Sequence, residues 1–541
     1  MADCPRGLLA GQLLQLDIPS NARLTSVTRT EDEDGLTTWR VTYAIKNQLQ
    51  AGATPSLADA AALGQSEAEG AIIRPIQPAM PDAPARQQAG FPHLPQTPGA
   101  LNRLFPLRCD VKTYAWGRLG HESLVGRLKE AGDSDFDIDT ETPYSELWMG
   151  THPSGPSMVM LETPWRTTTP LFDWLKLNPS LQGSRPATDS ANRRKSMVQI
   201  ESHGLSFLFK ILSVRTALSI QAHPDKALAR KLHSARPDLY KDDNHKPEMA
   251  IAISRFEALC SFQKAYSVLE NVRSCPELVA VVGEGSIGAL ASAAELPADD
   301  IARKPGVKVA LRELFTALMN ADTQRVEEQC ENLATRIKST SPMLRTPVDE
   351  LATRIFEQYP KDVGVFCVYL FNYLELQPGE ALYLGANEPH AYLSGECAEC
   401  MATSDNVVRA GCTSKFKDVT TLVTMLTYSD GAPHIVKPIE LDANSLRYSD
   451  YPSTEFMIDR CALSNGAVGA LPSAPGVSIL IVVQGEGTLE EMPENTAGAA
   501  GLMHTVAQGN VFMVCSGTFL RLRARGGEML AFRACAKYEL E

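Results

Sequence analysis

The period of the apolar residues changes twice along this 541-residue chain, and that double change constrains its fold more than any other feature. Up to about residue 261 the pattern alternates. Ser206–Val214 (SFLFKILSV) and Thr216–His223 (TALSIQAH) read as strands separated by little more than Arg215. From residue 262 apolar side chains recur every three or four positions, as in Leu311, Leu314, Phe315, Leu318 and in Val326, Cys330, Leu333, Ile337. That spacing predicts helices buried along one stripe. Thr346-Pro347 followed by Glu350 supplies a cap, a proline at the first position and an acid in the first turn. Alternation returns at Val363 in VGVFCVYLFNYLEL, continues past a Pro378-Gly379 turn into ALYLGANEPHAYL, and places His390 at a strand end. Further on come VSILIVV at 477–483, a Gly485–Gly487 turn, and VFMV at 511–514 after Gly509-Asn510. The predicted fold is mainly β with an α-helical insertion. A β domain over 103–261 plus 359–430 is interrupted by helices at 262–358, and a second β domain covers 431–541. Closely spaced strands with Gly/Pro turns predict barrels or sandwiches, and the two similar turn-strand-turn units predict two related barrels.

The first hundred residues differ. Thr38–Ile45 alternates like a strand, but residues 51–100 are rich in alanine and proline and carry no sustained period. Residues 1–102 are therefore expected to be an extension, largely linker or disordered. A polar stretch at 180–204 is expected to be a surface loop, its Arg193-Arg194-Lys195 run solvated. A net charge of -13 argues against nucleic acid or an anionic membrane as partner, so an anionic substrate would need a local cluster of cations. Twelve cysteines without framework spacing predict reduced thiols. The lone Cys397/Cys400 pair reads as small buried residues beside a site. No apolar run approaches the length of a membrane span, and Leu8–Leu16, broken by Gln12 and Gln15, makes a poor signal peptide. A cytoplasmic location is expected.

Four segments could carry chemistry. In LSIQAHPDK, 218–226, a strand would turn Ser219, Gln221 and His223 to one face and Leu218 and Ile220 to the other. That polar face is either solvated or buried with partners. In NHKPEMAIAI, 244–253, Glu248 enters an apolar run behind Pro247, which biases Lys246 toward an extended backbone. His390 follows Pro389. Together Gln221, His223, Glu248 and His390 offer two imidazoles, a carboxylate and an amide oxygen, a set that suits zinc in a catalytic rather than a structural site. In GECAECMATSDNVVRAGCTSKFKDV, 395–419, the charges could form a solvated loop, or Arg409 and Lys415 could hold a phosphate.

QAHPDK, HKPEMA, GANEPHAYLSGECAECMATSDNVVRAG and KFKD, with YAWG at 114–117 and ELWMGTHPSGPS at 146–157, closely resemble the signature segments of type I phosphomannose isomerases. The resemblance runs from about residue 103 to the C-terminus. It implies a cupin-type β-barrel (a jelly roll) carrying the site, an inserted helical domain and a second cupin-like domain. By motif it implies Gln221, His223, Glu248 and His390 as ligands of one zinc ion per chain, and Arg409 as an essential arginine. Ser219, Lys246 and Lys415 would line the sugar-phosphate pocket, with Glu399, Asp405 and Tyr392 as further substrate-binding positions. The implied reaction interconverts mannose 6-phosphate and fructose 6-phosphate through an enediol, feeding GDP-mannose, in a monomer with only a small sugar phosphate as partner. Lys246 is the favoured base; Glu399, Asp405 and a zinc-bound water are alternatives. Residues 1–100, the 180–204 loop, Cys412 and Ser414 depart from the family pattern. An iron-dependent cupin oxygenase and a non-catalytic sugar-phosphate-binding cupin are the competing readings.

Overall fold

Both alternating stretches of the sequence become large antiparallel ladders. The computed structural model describes residues 22–31, 37–45, 68–69, 103–161, 167–181, 204–297, 301, 303–493 and 501–537. The chain divides into two units, residues 1–96 and 97–541. In the first, Ala22–Glu31 pairs with Thr37–Ile45, and Ala68–Glu69 adds to the outer edge. The predicted Thr38–Ile45 strand is present, with a partner that the sequence reading did not foresee. The proline-rich stretch, Leu8–Leu16 and the Arg193-Arg194-Lys195 run lie outside the described residues.

The second unit holds two sheets of eleven strands. One runs in the order Ile435–Val436, Ala381–Leu384, Glu248–Ala252, His390–Ala402, Phe207–Val214, Glu146–Met149, Asp110–Lys112. Its central strand, His390–Ala402, serves two ladders. Its C-terminal half lies between Phe207–Val214 and Glu248–Ala252, while its N-terminal half pairs with Ile220–Ala222 and Phe256–Phe262. The change of partners comes at Gly395, whose φ of +106° and whose approach to the Arg255 carbonyl leave no room for a side chain.

The other sheet runs Thr167–Pro170, Met158–Leu161, Leu104–Arg108, Val511–Val514, Ser478–Pro493, Thr518–Cys535, Met457–Leu463, Ser445–Tyr448, Ile439–Asp442. Three strands from residues 104–170 thus belong to the sheet of the C-terminal strands. Both ladders are open, branched paths rather than the closed rings expected of barrels.

Between the β stretches lie the helices Ala265–Ser274, Pro276–Val282, Glu284–Ala294, Arg303–Met319, Thr323–Ser339 and Pro347–Gln358. The two predicted stripes are buried. Thr346 caps the last helix through a reciprocal box, its backbone N–H donating to Asp349 and its hydroxyl accepting from the Asp349 N–H, both at 3.2 Å. Phe262 joins this block to the sheet, its ring 5.5 Å from Phe315 and 5.0 Å from Phe371. No single helix among the described residues is long and apolar enough to cross a membrane.

Four local expectations change. The strand predicted at 216–223 shrinks to Ile220–Ala222. Val363 does not begin a strand: Gly364–Cys367 is helical and the strand starts at Phe371. Residues 363–371 are all buried, and a wholly apolar run carries no period to separate helix from strand. Gly485–Gly487 is not a turn, because Ser478–Pro493 passes through it on register shifts at Val482/Gln484 and Gln484/Glu486. Gly485, with φ +78°, absorbs the bulge. His390 opens a strand instead of ending one.

Candidate metal centre and substrate pocket

His223 follows the short strand Ile220–Ala222, Glu248 is the first residue of Glu248–Ala252, and His390 is the first of His390–Ala402. Each imidazole is fixed from behind. Nδ1 of His223 lies 2.7 Å from the Asn406 carbonyl and Nδ1 of His390 lies 3.0 Å from the Glu388 carbonyl. A carbonyl only accepts, so both Nδ1 atoms carry a proton, which in a neutral ring leaves Nε2 bare. These Nε2 atoms point at one carboxylate: His223 is 3.4 Å from Glu248 Oε1, and His390 is 3.4 Å from Glu248 Oε2.

All three residues are buried, and His223 Nε2, His390 Nε2 and Glu248 Oε2 make no hydrogen bond. Orphaned buried polar atoms cost about 1–3 kcal/mol each, so a cluster of three calls for a bound group. One donor atom from each lies within 4.8 Å of the others, which is compatible with a shared metal ion. Burial pushes His223 down to about 4, which keeps the ring neutral and able to ligate. Burial pushes Glu248 upward, but Lys246 and His223 outweigh it and hold the carboxyl well below its ordinary range.

The backbone of Gln221 sits opposite both His390 and Arg409, one strand on either side. Its amide oxygen accepts from the Ser219 hydroxyl at 3.4 Å, and both residues are half-buried. His223 is fully buried, which excludes the solvated face allowed by the sequence. Lys246 Nζ lies 3.2 Å from Glu248 Oε1. Arg409 is half-buried and its guanidinium has no hydrogen-bond or ion-pair partner among the described residues; burial alone pulls it down.

The other predicted positions make no hydrogen bond or ion pair with the three ligands. Glu399 is buried, pushed up chiefly by burial, and lies 3.1 Å from Lys210 Nζ. Buried Tyr392 is pushed well above its usual range by burial and by the nearby Glu399 and Glu248 carboxylates. Asp405 is exposed, with His152 Nε2 at 3.3 Å. Lys415 is exposed, and its backbone N–H donates to Thr413; no side-chain contact joins it to the centre.

Sequence reasoning missed Lys210. It is buried mid-strand with Glu399 on one side and Glu146, at 3.7 Å, on the other; Trp148 Nε1 donates to Glu146. The two carboxylates outweigh burial and raise the ammonium above its ordinary value. A lysine in the middle of the apolar run SFLFKILSV was the available signal, since a buried charge requires partners.

Known proteins resemble this chain in sequence and fold. The family model for the type I phosphomannose isomerase catalytic domain matches residues 104–265, and that for the helical insertion domain matches residues 281–371. Mannose-6-phosphate isomerase 1 of Arabidopsis thaliana is 43% identical over 435 residues, covering 80% of this chain and 94% of its own length. Mannose-6-phosphate isomerase of Bos taurus is 39% identical over 447 residues, covering 81% and 99%. A variant of phosphomannose isomerase from Salmonella typhimurium superposes with a TM-score of 0.62 at 25% identity, covering 81% of this chain and 100% of that one. A mannose 6-phosphate isomerase crystallised with zinc and yttrium shares the fold, with a TM-score of 0.61 at 24% identity and the same coverage.

Proposed function

This chain belongs to the type I phosphomannose isomerase family and is an isomerase, and on that footing we propose that it interconverts mannose 6-phosphate and fructose 6-phosphate with one bound zinc ion. The observation that carries this reading is the pair of buried histidines whose Nδ1 protons are tied to carbonyls, so that two bare Nε2 atoms meet one buried carboxylate. His223, His390 and Glu248 would hold the ion, with the Gln221 amide oxygen as fourth ligand. Two nitrogens and two oxygens without a thiolate suit zinc in a site that leaves room for substrate. When bound, zinc supplies Lewis acidity to the sugar oxygens.

The rest of the chemistry falls to the chain's own residues. Isomerisation takes a proton from C2 of the open aldose and returns it to C1, and we assign that transfer to Lys246, which would act as the uncharged amine, become the ammonium on taking the C2 proton and return to the amine on giving it to C1. Of the alternatives, Glu399 is committed to Lys210 and Asp405 stands exposed beside His152. Arg409, a half-buried cation with no carboxylate of its own, is suited to the charge of the phosphate or of the enediolate. Ser219 would orient the amide of Gln221, and Tyr392 and Lys415 would contact substrate. We place the reaction in the cytoplasm, in a monomer, upstream of GDP-mannose.

The test is metal content of the purified protein, followed by mannose 6-phosphate conversion with and without a chelator. Stoichiometric zinc, turnover lost on chelation and restored by zinc, and a Lys246→Ala enzyme that keeps its metal but loses most turnover are expected. Stoichiometric iron, or sugar binding without turnover, would refute the reading.

A further inference from the structure

Lys246 sits in a short span that the backbone leaves loosely held. On one side Asn244 is anchored, donating from Nδ2 to the Thr403 carbonyl at 3.0 Å and accepting at its own carbonyl from Asn406 Nδ2 at 2.9 Å. On the other, the Pro247 carbonyl accepts from the Ala402 N–H at 3.1 Å, one residue before the ladder of Glu248–Ala252 begins. Pro247 restricts Lys246 to extended backbone. His245 has no such restriction, and its one polar anchor among the described residues is a side chain from a connection of the other sheet. Its Nε2 lies 2.5 Å from Glu455 Oε1.

Glu455 is itself well held. It stands in the connection between Ser445–Tyr448 and Met457–Leu463. Its Oε2 accepts from the Ser453 hydroxyl at 2.6 Å and the Thr454 N–H at 3.1 Å. Its carbonyl accepts from the Ser206 hydroxyl at 2.8 Å, next to the strand that carries Lys210. Alternate side chains of an extended segment point to opposite sides. Holding His245 on the outside therefore aims Lys246 inward, where its Nζ lies 3.2 Å from Glu248 Oε1.

We infer that Glu455 is a positioning residue for the isomerisation: through His245 it sets the direction of Lys246, so that a connection of the C-terminal sheet takes part in catalysis without touching substrate. The inference rests on the assignment of proton transfer to Lys246 made above. Its physical basis is that proton transfer tolerates little displacement of the base, whereas Arg409 and the two histidine ligands are carried by other strands.

The experiment compares Glu455→Gln, Lys246→Ala and the double variant in the zinc-loaded enzyme. Glu455→Gln keeps an oxygen for Ser453 but removes the charge that holds His245. Its kcat is expected to fall on the order of 10–100-fold, with KM and zinc content little changed. In the Lys246→Ala background the same substitution should cost nothing further in residual turnover, because the group it aims is gone. His245→Gln breaks the contact from the other side, leaves the connection at 449–456 untouched, and should reproduce the kcat loss. It also answers for Glu455→Gln should that variant not fold. Full kcat in both Glu455→Gln and His245→Gln, or an equal loss with and without Lys246, overturns the inference. Lys246→Ala at full turnover overturns the assignment of the base, whereas an inactive Lys246→Ala beside a fully active Glu455→Gln overturns only the role of Glu455.

Discussion

Replacing Lys210 by methionine would leave two carboxylates facing each other in the interior of the sheet. The lysine's side chain is 7% exposed, and it lies 3.1 Å from Glu399 and 3.7 Å from Glu146, which are 4% and 9% exposed. Methionine fills much the same volume, so the loss is electrostatic and not a cavity. Breaking a buried ion pair from one side costs about 3–5 kcal/mol, because the remaining charge has neither water nor partner. The loss should depend on pH with a definite sign. Glu399 is already raised above its ordinary 4.5, chiefly by burial, with Lys210 opposing the shift. Without Lys210 it rises further. A carboxyl raised in the folded state binds its proton more tightly there, so the relief is complete below the unfolded value and is lost as pH rises through the folded one. The destabilisation should therefore be full at high pH and smaller at a pH low enough to protonate the raised carboxyl. Urea unfolding at the two pH values measures it as a shift in midpoint. Adding Glu399→Gln to Lys210→Met should recover part of the loss. A Lys210→Met midpoint equal to the unsubstituted protein's at high pH, or a loss independent of pH, would refute the reasoning.

Two further substitutions test the frame around the centre. Gly395→Ala forces a side chain onto φ +106° and to 2.4 Å from the Arg255 carbonyl oxygen, both on backbone. A loss of at least about 1–3 kcal/mol is expected in thermal unfolding, with reduced turnover because the same strand carries His390 and Glu399. Thr346→Ala removes the reciprocal cap of Pro347–Gln358 and should cost about 1 kcal/mol while leaving kcat unchanged.

The helical insertion was legible because Leu311, Leu314, Phe315 and Leu318 keep a helical period, and a period is a local property of the chain. The metal centre was legible in a different way. No spacing relates His223, Glu248 and His390; they became readable through the chemistry of their side chains and through motifs resembling a known family. Features that depend on two distant segments were not legible. Lys210 reads as a charge in a strand, but Glu146 and Glu399 reach it only through ladders on either side. His245 meets Glu455 across 210 residues of chain, and nothing near either residue announces the other. The bulge at Gly485 was read as a turn because a glycine with positive φ serves both, and only the partner strand Thr518–Cys535 distinguishes them.

The pairing of Leu104–Arg108 with Val511–Val514 sets a timetable for making this protein. Phe512 lies opposite Pro106, roughly 400 residues away along the chain. At about 5–20 residues per second, the early strand waits roughly 20–80 s on the ribosome before its neighbour in the sheet exists. During that interval an apolar sheet edge has no permanent cover, which is the condition under which strands find the wrong neighbour. A chain cut short near its C-terminus would remain in that state. Premature stop codons before Val511 should therefore give insoluble protein, even where every residue of the metal centre has been translated.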